Sequence, residues 1–300
     1  MANPDKRLPA NVPGEFYVDA TCIDCGTCRE LAPLSFAEGP DQSYVHAQPA
    51  TPDATRQAWH ALLSCPTASI GTMTADPDAA RAAMADFPLP VDGDVHRLGF
   101  TSPKSFGGAS YWVVRPEGNW MIDSPRYHPA LFMPMAARGG LAEVFLTHRD
   151  DVADAARYAA HFKARRWIGE ADADAQPEAE GRLTGESPMT LAPGCVAIPT
   201  PGHTRGHWCL LVDDRYLFTG DHLWGEFPPG QAPADAEGHR LGAGRGVCWY
   251  SWDEQVRSME RLLDYRFEWV LPGHGHALHL SAPAMRRELE ALIARMKAGR

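Results

Sequence analysis

Four cysteines near the N-terminus restrict the fold of this chain more than any other feature. The run C-I-D-C-G-T-C places Cys22, Cys25 and Cys28 on one tight turn, and Cys65 follows at a distance, directly before Pro66. Three closely spaced thiolates and a distant fourth that precedes a proline form the ligand pattern of a [4Fe-4S] cluster. The sequence therefore predicts an N-terminal segment that folds around one such cluster.

Structural zinc, disulfides and chance are the alternatives to a cluster. The first thirty residues contain neither an apolar stretch typical of export nor a membrane span, so we expect a cytoplasmic protein, in which disulfides are disfavoured. Zinc sites normally use two separated CxxC pairs.

The formal net charge of -10 argues against nucleic acid as the main partner, because phosphate binding needs a basic surface. We expect neither a nucleic acid nor a membrane partner.

Residues 16–71 resemble the single-cluster bacterial ferredoxins. The resemblance lies in FYVDATCIDCGTCRELAPLSF and SCPTASIGT, where all four ligand positions are cysteine. It implies a small domain of two short β-hairpins and two helices around one [4Fe-4S] cluster. We place this domain at residues 1–76 and expect a helical linker, rich in alanine, aspartate and proline, at residues 77–95, with its helix ending at the pair Pro88 and Pro90.

The remaining residues, 96–300, contain four short motifs that each follow an apolar strand. They are LTHRDD at 146–151, PTPGHTRGH at 199–207, LFTGDHLW at 217–224 and VLPGHGH at 270–276. Each motif places histidine or aspartate where a strand gives way to a loop, which is where rigid scaffolds present ligands. The motifs therefore predict a metal site built from several strand ends.

The set and order of these motifs resemble the metallo-β-lactamase superfamily. The resemblance implies an α+β chain, in which the ferredoxin domain is followed by an αββα sandwich with metal ions at the strand ends. By motif position it implies the metal ligands His148, His203, Asp221 and His274, with Asp221 also orienting the catalytic water. Asp150 stands where the family has a second histidine, and is the fifth predicted ligand.

The Asp-His pair that would bind a second metal reads Val152-Ala153 in this chain. One interpretation is that Asp150 replaces the lost histidine, as carboxylates do in the flavodiiron branch, while Asp151 or Asp154 serves a second metal. Such an oxygen-rich site shifts preference from zinc toward iron or manganese. A contrasting interpretation is that no metal binds, and that Asp150 or Asp151 caps the following helix.

A third interpretation keeps only His148, His203 and Asp221 around one mononuclear iron, which is the ligand set of the persulfide dioxygenase branch. One or two iron, zinc or manganese ions are therefore expected.

A bound metal ion favours hydrolysis of an ester, thioester or lactone, whereas a [4Fe-4S] cluster supplies single electrons. We predict metal-dependent hydrolysis or redox chemistry on a small substrate, with the cluster handling electrons and a redox partner protein. The alternative is a non-enzymatic electron carrier or redox sensor with a degenerate metal site.

Two further segments are interpreted from composition. Residues 225–248 are rich in glycine and proline and carry Arg240 and Arg245, so they form either a lid whose arginines meet an anionic substrate or an irregular surface. Residues 170–188 are acidic and are expected to be a solvated connection without chemistry.

Overall fold

The structure is a computed structural model that describes residues 2–227 and 238–299. Its N-terminal part packs around one apolar core to which strands and helices both contribute. The elements are β1 (Phe16–Val18), α1 (Thr27–Leu31), β2 (Phe36–Glu38), β3 (Ser43–Val45), α2 (Pro52–Ser64), β4 (Ile70–Thr72) and α3 (Pro77–Met84).

Strand pairing in this part differs from the implied two hairpins. Strands β2 and β3 form a hairpin, whereas β1 pairs antiparallel with β4 from the far end of the domain. Helix α2 begins with Thr51 accepting a hydrogen bond from the Ala54 amide and with proline at its first position, which are both favourable at a helix start.

The expected linker at 77–95 is helical only in its first half. Helix α3 is capped by Asp76, whose side chain accepts from the Ala79 amide, and Ala83 is buried in the N-terminal core. Residues 89–92 instead form β5 (Leu89–Asp92), which lies at the edge of a large sheet. Pro90 is compatible with an edge strand because it cannot donate to a second neighbour. Within 77–95 the chain is therefore helical only up to Met84, and its last residues belong to the large sheet.

The first large sheet has seven strands in the order β11-β10-β9-β8-β7-β6-β5. Strands β8 to β11 run parallel, and β5 to β8 are joined antiparallel. Besides β5, the elements are β6 (Val95–Arg97), β7 (Tyr111–Val113), β8 (Trp120–Ile122), α4 (Phe132–Ala137), β9 (Glu143–Phe145), α5 (Ala155–Phe162), β10 (Arg165–Gly169) and β11 (Gly181–Leu183).

The second large sheet has six strands in the order β12-β13-β14-β15-β18-β19, and a separate pair, β16 and β17, lies beside it. Its elements are β12 (Met189–Ala192), β13 (Cys195–Pro199), β14 (Trp208–Val212), β15 (Tyr216–Gly220), β16 (Trp224–Glu226), β17 (Arg240–Gly242), α6 (Trp252–Leu262), β18 (Trp269–Pro272), β19 (Leu278–His279) and α7 (Ala282–Lys297).

Alternating side chains of the strands build three apolar layers. Tyr111 and Phe145 point between the sheets and meet Phe218 of the second sheet. Their neighbours Trp112 and Val144 point outward into a cluster that includes residues of α4 and α5. The outer face of the second sheet packs likewise on α6 and α7. This period of two, with helices outside two stacked sheets, confirms the expected αββα sandwich.

No helix in the described ranges is both long enough and apolar enough to cross a membrane. Residues 228–237 of the glycine- and proline-rich segment at 225–248, which was interpreted as either a lid or an irregular surface, lie outside the described residues.

Candidate functional site

The four N-terminal cysteines lie around one small cavity. Cys28 and Cys65 are buried, whereas Cys22 and Cys25 are partly exposed. All four line the cavity together with apolar side chains of β1 and β4. Gly26 takes a left-handed conformation (φ 83°) between two of the cysteines, which lets the chain turn into α1. The structure thus brings together the predicted cluster ligands.

The surroundings of these sulfur atoms fit an iron–sulfur cluster. The amide of Asp24 donates to Sγ of Cys22 at 3.4 Å, and the amide of Ser69 donates to Sγ of Cys65 at 3.2 Å. Burial raises the pKa of the Cys25 thiol to about 11, because a buried thiolate loses the stabilisation of water. Amide donors and bound iron stabilise the thiolate form, so this donor set suits the cluster.

Three strand ends bring His148, His203 and Asp221 together. His148 follows β9, His203 follows β13 and Asp221 follows β15, and one ligand atom of each lies within 4.8 Å of the others. The Nε2 atoms of His148 and His203 each lie 3.7 Å from Oδ2 of Asp221. Both imidazoles are buried and turned toward the carboxylate. These three residues form the centre of the candidate metal site.

Asp150 and His274 lie at the same place. Oδ2 of Asp150 is 3.4 Å from Nε2 of His203 and 3.8 Å from Nε2 of His148, where the family motif has an imidazole. His274 follows β18, and its Nε2 lies 4.0 Å from Oδ2 of Asp221. The structure therefore brings all five predicted ligands together, and their role in holding a metal stays a prediction.

Buried atoms without hydrogen-bond partners mark where a cation fits. Within residues 2–227 and 238–299, they include Nε2 of His148, Nε2 of His203, Oδ1 of Asp221 and Oδ2 of Asp151. Burial lowers the pKa of His148 to about 4, which leaves its ring neutral at pH 7. Burial alone would also lower the pKa of His203, but Asp150 and Asp221 together raise it. Imidazole nitrogens and carboxylate oxygens that converge without partners suit a divalent metal ion.

Asp151 places another carboxylate beside Asp221. A Cβ atom built on Gly273 would lie 2.6 Å from Oδ2 of Asp151 and 2.7 Å from Oδ1 of Asp221, so both oxygens face the space that this glycine leaves open. Burial, followed by the charge of Asp221, raises the pKa of Asp151 well above its ordinary value. Two carboxylates whose oxygens face the same space are stabilised by a proton or a cation between them.

Asp123 orients His148 through Thr147. The amide and hydroxyl of Thr147 donate to Asp123 at 2.8 and 2.9 Å, and the same hydroxyl oxygen lies 3.0 Å from Nδ1 of His148. Because the hydroxyl proton points toward Asp123, the oxygen accepts the Nδ1 proton of His148. This tautomer leaves Nε2 of His148 with its lone pair directed into the site. Burial raises the pKa of Asp123 to about 8.

Asp172 was missed by the sequence reasoning, which assigned no chemistry to its acidic segment. Its buried carboxylate accepts from the amide of Gly206 at 3.0 Å, the hydroxyl of Thr204 at 2.5 Å and the amide of Arg149 at 3.2 Å. It therefore ties together the two loops that carry His148 and His203. Only its burial distinguishes it from the exposed acids around it.

The helix-cap interpretation of the altered motif is wrong. Helix α5 begins at Ala155 with Asp154 at the cap position, where no side chain accepts a hydrogen bond from the helix. Asp150 and Asp151 belong to a preceding 3-10 turn that points them at the site. Asp154 does not reach the site either, since its carboxylate contacts Lys104 at 2.7 Å. Asp151 and Asp154 were the two residues expected to bind a second metal, and only Asp151 faces the candidate metal site.

The arginines of the glycine- and proline-rich segment are already engaged. Nε of Arg240 lies 2.8 Å from a carboxylate oxygen of Glu226. The guanidinium of Arg245 lies 6.0 Å from the ring centre of Trp252. These contacts make both guanidinium groups less available to bind an anionic substrate.

One cavity of about 2060 Å³ opens above the candidate metal site and extends to the cluster segment. Its wall includes Asp150, Asp221 and His274 on one side and Cys25 and Arg29 on the other. The two parts of the chain therefore share a single cavity.

Close contacts join the two parts beside this cavity. The hydroxyl of Thr27 donates to the carbonyl of Gly107 at 2.9 Å. Arg97 of β6 forms an ion pair with Glu30 of α1 at 2.6 Å, with both side chains largely buried. The guanidinium of Arg126 donates to the carbonyl of Leu63 at 2.6 Å.

Comparison with known proteins identifies the N-terminal part. The family described as "4Fe-4S single cluster domain of Ferredoxin I" matches residues 18–72, which confirms the resemblance to single-cluster ferredoxins and supports one [4Fe-4S] cluster. A hydroxyacylglutathione hydrolase of Acidiphilium cryptum (strain JF-5) is 34% identical over 117 residues, which are 38% of this chain and 48% of that protein. The match thus spans about half the length of that relative.

Solved structures share the fold at low sequence identity. TMB-1 is 16% identical with a TM-score of 0.51, and the likeness covers 70% of this chain and 96% of that one. The DIM-1 metallo-β-lactamase is 18% identical with a TM-score of 0.48, covering 68% and 95% of the two chains. A ferredoxin-type domain is followed in this chain by a sandwich of the metallo-β-lactamase fold.

Proposed function

We propose that this chain, a ferredoxin-type cluster domain joined to a sandwich of metallo-β-lactamase fold, is a metal-dependent hydrolase of esters or thioesters. One observation carries the proposal: buried nitrogen and oxygen atoms of His148, His203 and Asp221 converge without hydrogen-bond partners on the floor of an open cavity, and a carboxylate oxygen of Asp150 lies 3.4 Å from Nε2 of His203. The similarity to a hydroxyacylglutathione hydrolase over 117 residues supports the same reaction class.

The donor set favours iron or manganese over zinc. Asp150 and Asp221 supply carboxylate oxygens where an imidazole-rich site would bind zinc, and oxygen ligands shift preference toward harder ions. A bound divalent ion supplies a Lewis acid and lowers the pKa of its water toward neutrality.

The residues of this chain hold and orient the reactants. Thr147 and Asp123 fix the His148 ring, and Asp221, which lies within 4.0 Å of three imidazoles, is placed to orient the attacking water. Hydrolysis adds that water to the carbonyl carbon and breaks the bond to the leaving oxygen or sulfur. The leaving group takes up the proton, and no electrons are exchanged.

A second candidate function is that of a metal-dependent oxidoreductase. A Cβ atom on Gly107 would lie 2.8 Å from Sγ of Cys25, and a Cβ atom on the next residue, Gly108, would lie 2.6 Å from Oδ1 of Asp151. Because consecutive Cα atoms are about 3.8 Å apart, only two residues separate the cluster ligand from the candidate metal site. This proximity suits the passage of single electrons between a cluster and a reacting substrate.

Metal analysis after anaerobic purification tests the existence of the second site. We expect metal beyond the four irons of the cluster, lost in His203→Ala and Asp221→Ala while the visible absorbance of the cluster stays unchanged. His279→Ala, at an exposed histidine stacked on Trp269, is the matched control. Four irons per chain with no further metal would instead leave an electron carrier or redox sensor.

Two assays separate the enzyme functions. Ester or thioester hydrolysis at the same rate with an oxidised and a reduced cluster supports the hydrolase. Substrate-dependent reoxidation of a dithionite-reduced cluster in the absence of oxygen supports the oxidoreductase.

A further inference from the structure

Exposed apolar side chains are concentrated at the cavity above the candidate metal site. Seven large hydrophobic residues are exposed within residues 2–227 and 238–299, and four of them line this one cavity. They are Phe106, Val247, Trp249 and Tyr250, with exposed fractions of 56%, 42%, 67% and 50%. A cluster of exposed apolar side chains commonly marks a binding site on a protein surface.

The segment that carries Trp249 and Tyr250 is fixed to the metal-site loop. The amides of Trp249 and Tyr250 donate to the carbonyl of His203 at 2.9 and 3.1 Å, and the amide of Ser251 donates to the carbonyl of Gly202 at 3.0 Å. Sγ of Cys248 also donates to the Gly202 carbonyl at 3.1 Å. The exposed rings are therefore presented by a backbone held in place beside His203.

Phe106 occupies the opposite side of the site. Its backbone has a left-handed conformation (φ 47°) that a non-glycine residue adopts only when neighbouring contacts impose it. The amide of the next residue, Gly107, donates to Ser102 at 2.9 Å and closes this turn. The Phe106 ring centre lies 6.2 Å from that of His274, and the Trp249 ring centre lies 6.1 Å from that of His203. Two aromatic rings thus flank two candidate ligands.

Charges on the cavity wall do not favour an anionic ligand. Four of the five lysines and arginines among its described residues are paired with carboxylates within 2.8 Å, namely Arg29 with Asp24, Lys104 with Asp154, Arg149 with Asp174 and Arg240 with Glu226. The charges of these four residues are therefore compensated inside the protein, Arg205 is the fifth basic residue of the wall, and the large exposed hydrophobic side chains of the wall lie next to the metal site.

We propose that Phe106, Val247, Trp249 and Tyr250 form an acyl cleft, which binds the apolar acyl chain of an ester or thioester whose carbonyl lies at the metal site. The inference rests on the proposed hydrolase function and names its substrate class. Aromatic side chains bind an apolar chain at a small cost in conformational entropy, because they have few rotatable bonds and their backbone is already held in place.

The cleft is tested by chain-length selectivity in the metal-loaded full chain. The kcat/KM values for p-nitrophenyl octanoate and p-nitrophenyl acetate are compared in wild type and Trp249→Ala. We expect the octanoate-to-acetate ratio to fall about tenfold in the variant, which corresponds to about 1.4 kcal/mol, and to recover in Trp249→Phe. Met133→Ala removes the most exposed large apolar side chain outside the cavity and should leave the ratio unchanged.

A binding measurement separates the cleft from the reaction. Titration calorimetry with octanoate should show a Kd about tenfold higher for Trp249→Ala than for wild type. If neither ester is hydrolysed but octanoate binding depends on Trp249, the hydrolase proposal fails and the cleft stands. If both esters are hydrolysed at a ratio indifferent to Trp249, the cleft is wrong. Self-association of the wild type that Trp249→Ala abolishes, without octanoate binding, would also overturn it in favour of an interface between copies.

Discussion

Gly107 and Cys25 approach each other so closely that a Cβ atom at Gly107 would lie 2.8 Å from the Cys25 sulfur and 2.7 Å from its Cβ. Gly107 belongs to the loop before β7, whereas Cys25 is a predicted cluster ligand in the N-terminal part. The sandwich thus supplies one side of the cluster environment. Its glycine is also held at φ 87°, where an L side chain is strained.

Gly107→Ala is expected to lower the iron and acid-labile sulfide content of the purified protein and to destabilise it by about 2 kcal/mol through overpacking against Cys25. Gly185→Ala is the matched control, since Gly185 has a similar φ of 81° but no atom within 4 Å. Iron analysis and denaturant unfolding measure both effects. Equal losses in the two variants would show that backbone strain alone matters.

Asp172→Ala is expected to reduce stability by about 3 kcal/mol, because three donors on the two ligand-bearing loops would lose a buried acceptor. The nearby Asp174→Ala should cost less than about 1 kcal/mol, since Asp174 makes an exposed ion pair with Arg149. Urea unfolding followed by tryptophan fluorescence compares the two. Similar costs would contradict the positioning role of Asp172.

Asp151→Asn is expected to have opposite effects with and without metal. In the presence of a chelator, Asn avoids the unfavourable ionisation of the Asp151 carboxyl group, which burial and the charge of Asp221 oppose, so this variant should raise Tm by about 2 °C. The rise in Tm on adding Mn²⁺ should be smaller than in wild type, because one oxygen donor is weakened. Asp214→Asn, at an exposed aspartate, is the control. If Asp151→Asn had a lower Tm than wild type in chelator, the unfavourable interaction between the Asp151 and Asp221 carboxylates would be disproved.

Arg97→Met is expected to destabilise the chain by about 3 kcal/mol, because it leaves the carboxylate of Glu30 buried without its partner. The double variant Arg97→Met, Glu30→Met should recover part of this loss, since no unpaired charge remains. A double-mutant cycle at the exposed pair of Arg286 and Glu290 is the matched control. We expect its coupling free energy to be below about 0.5 kcal/mol. A coupling equally small at Arg97 and Glu30 would show that this contact does not join the two parts.

Glu180→Gln tests a pH-dependent contribution to stability. Hydrogen bonding to Arg166 lowers the pKa of Glu180 from 4.5 to about 2. A lowered carboxyl pKa stabilises the fold above the unfolded value, and this contribution is lost as the pH falls through the folded value. Because the carboxylate is half exposed, we expect a cost of about 1 kcal/mol at pH 7.

The difference between wild type and Glu180→Gln should shrink between pH 5 and pH 2, the window set by the two pKa values. Urea unfolding of both proteins at pH 7 and pH 3 measures it, and any acid loss of the cluster affects both alike. If this stability difference grew as the pH fell, the assigned direction of the Glu180 pKa shift would be wrong.

The sequence predicted the parts of the site that follow regular strands. His148, His203 and His274 were located because each follows an apolar strand in a recognisable motif, and strand ends of one sandwich lie at a common edge. Asp172 was missed because its exposed neighbours have the same composition, and only packing removes its carboxylate from water. Asp150 and Asp151 were left open between capping and ligation, since one 3-10 turn decides the direction of both side chains.

The sequence alone predicted the cluster ligands from cysteine spacing, and the αββα sandwich and five metal ligands from the resemblance that four short motifs carry, because both signals lie within short stretches of chain. Only the tertiary structure decided that the cluster segment and the strand ends share one cavity, with Gly107 against Cys25 and Arg97 paired with Glu30. These contacts join residues far apart in the chain. Their geometry depends on how two packed cores meet, which no local pattern of residues encodes.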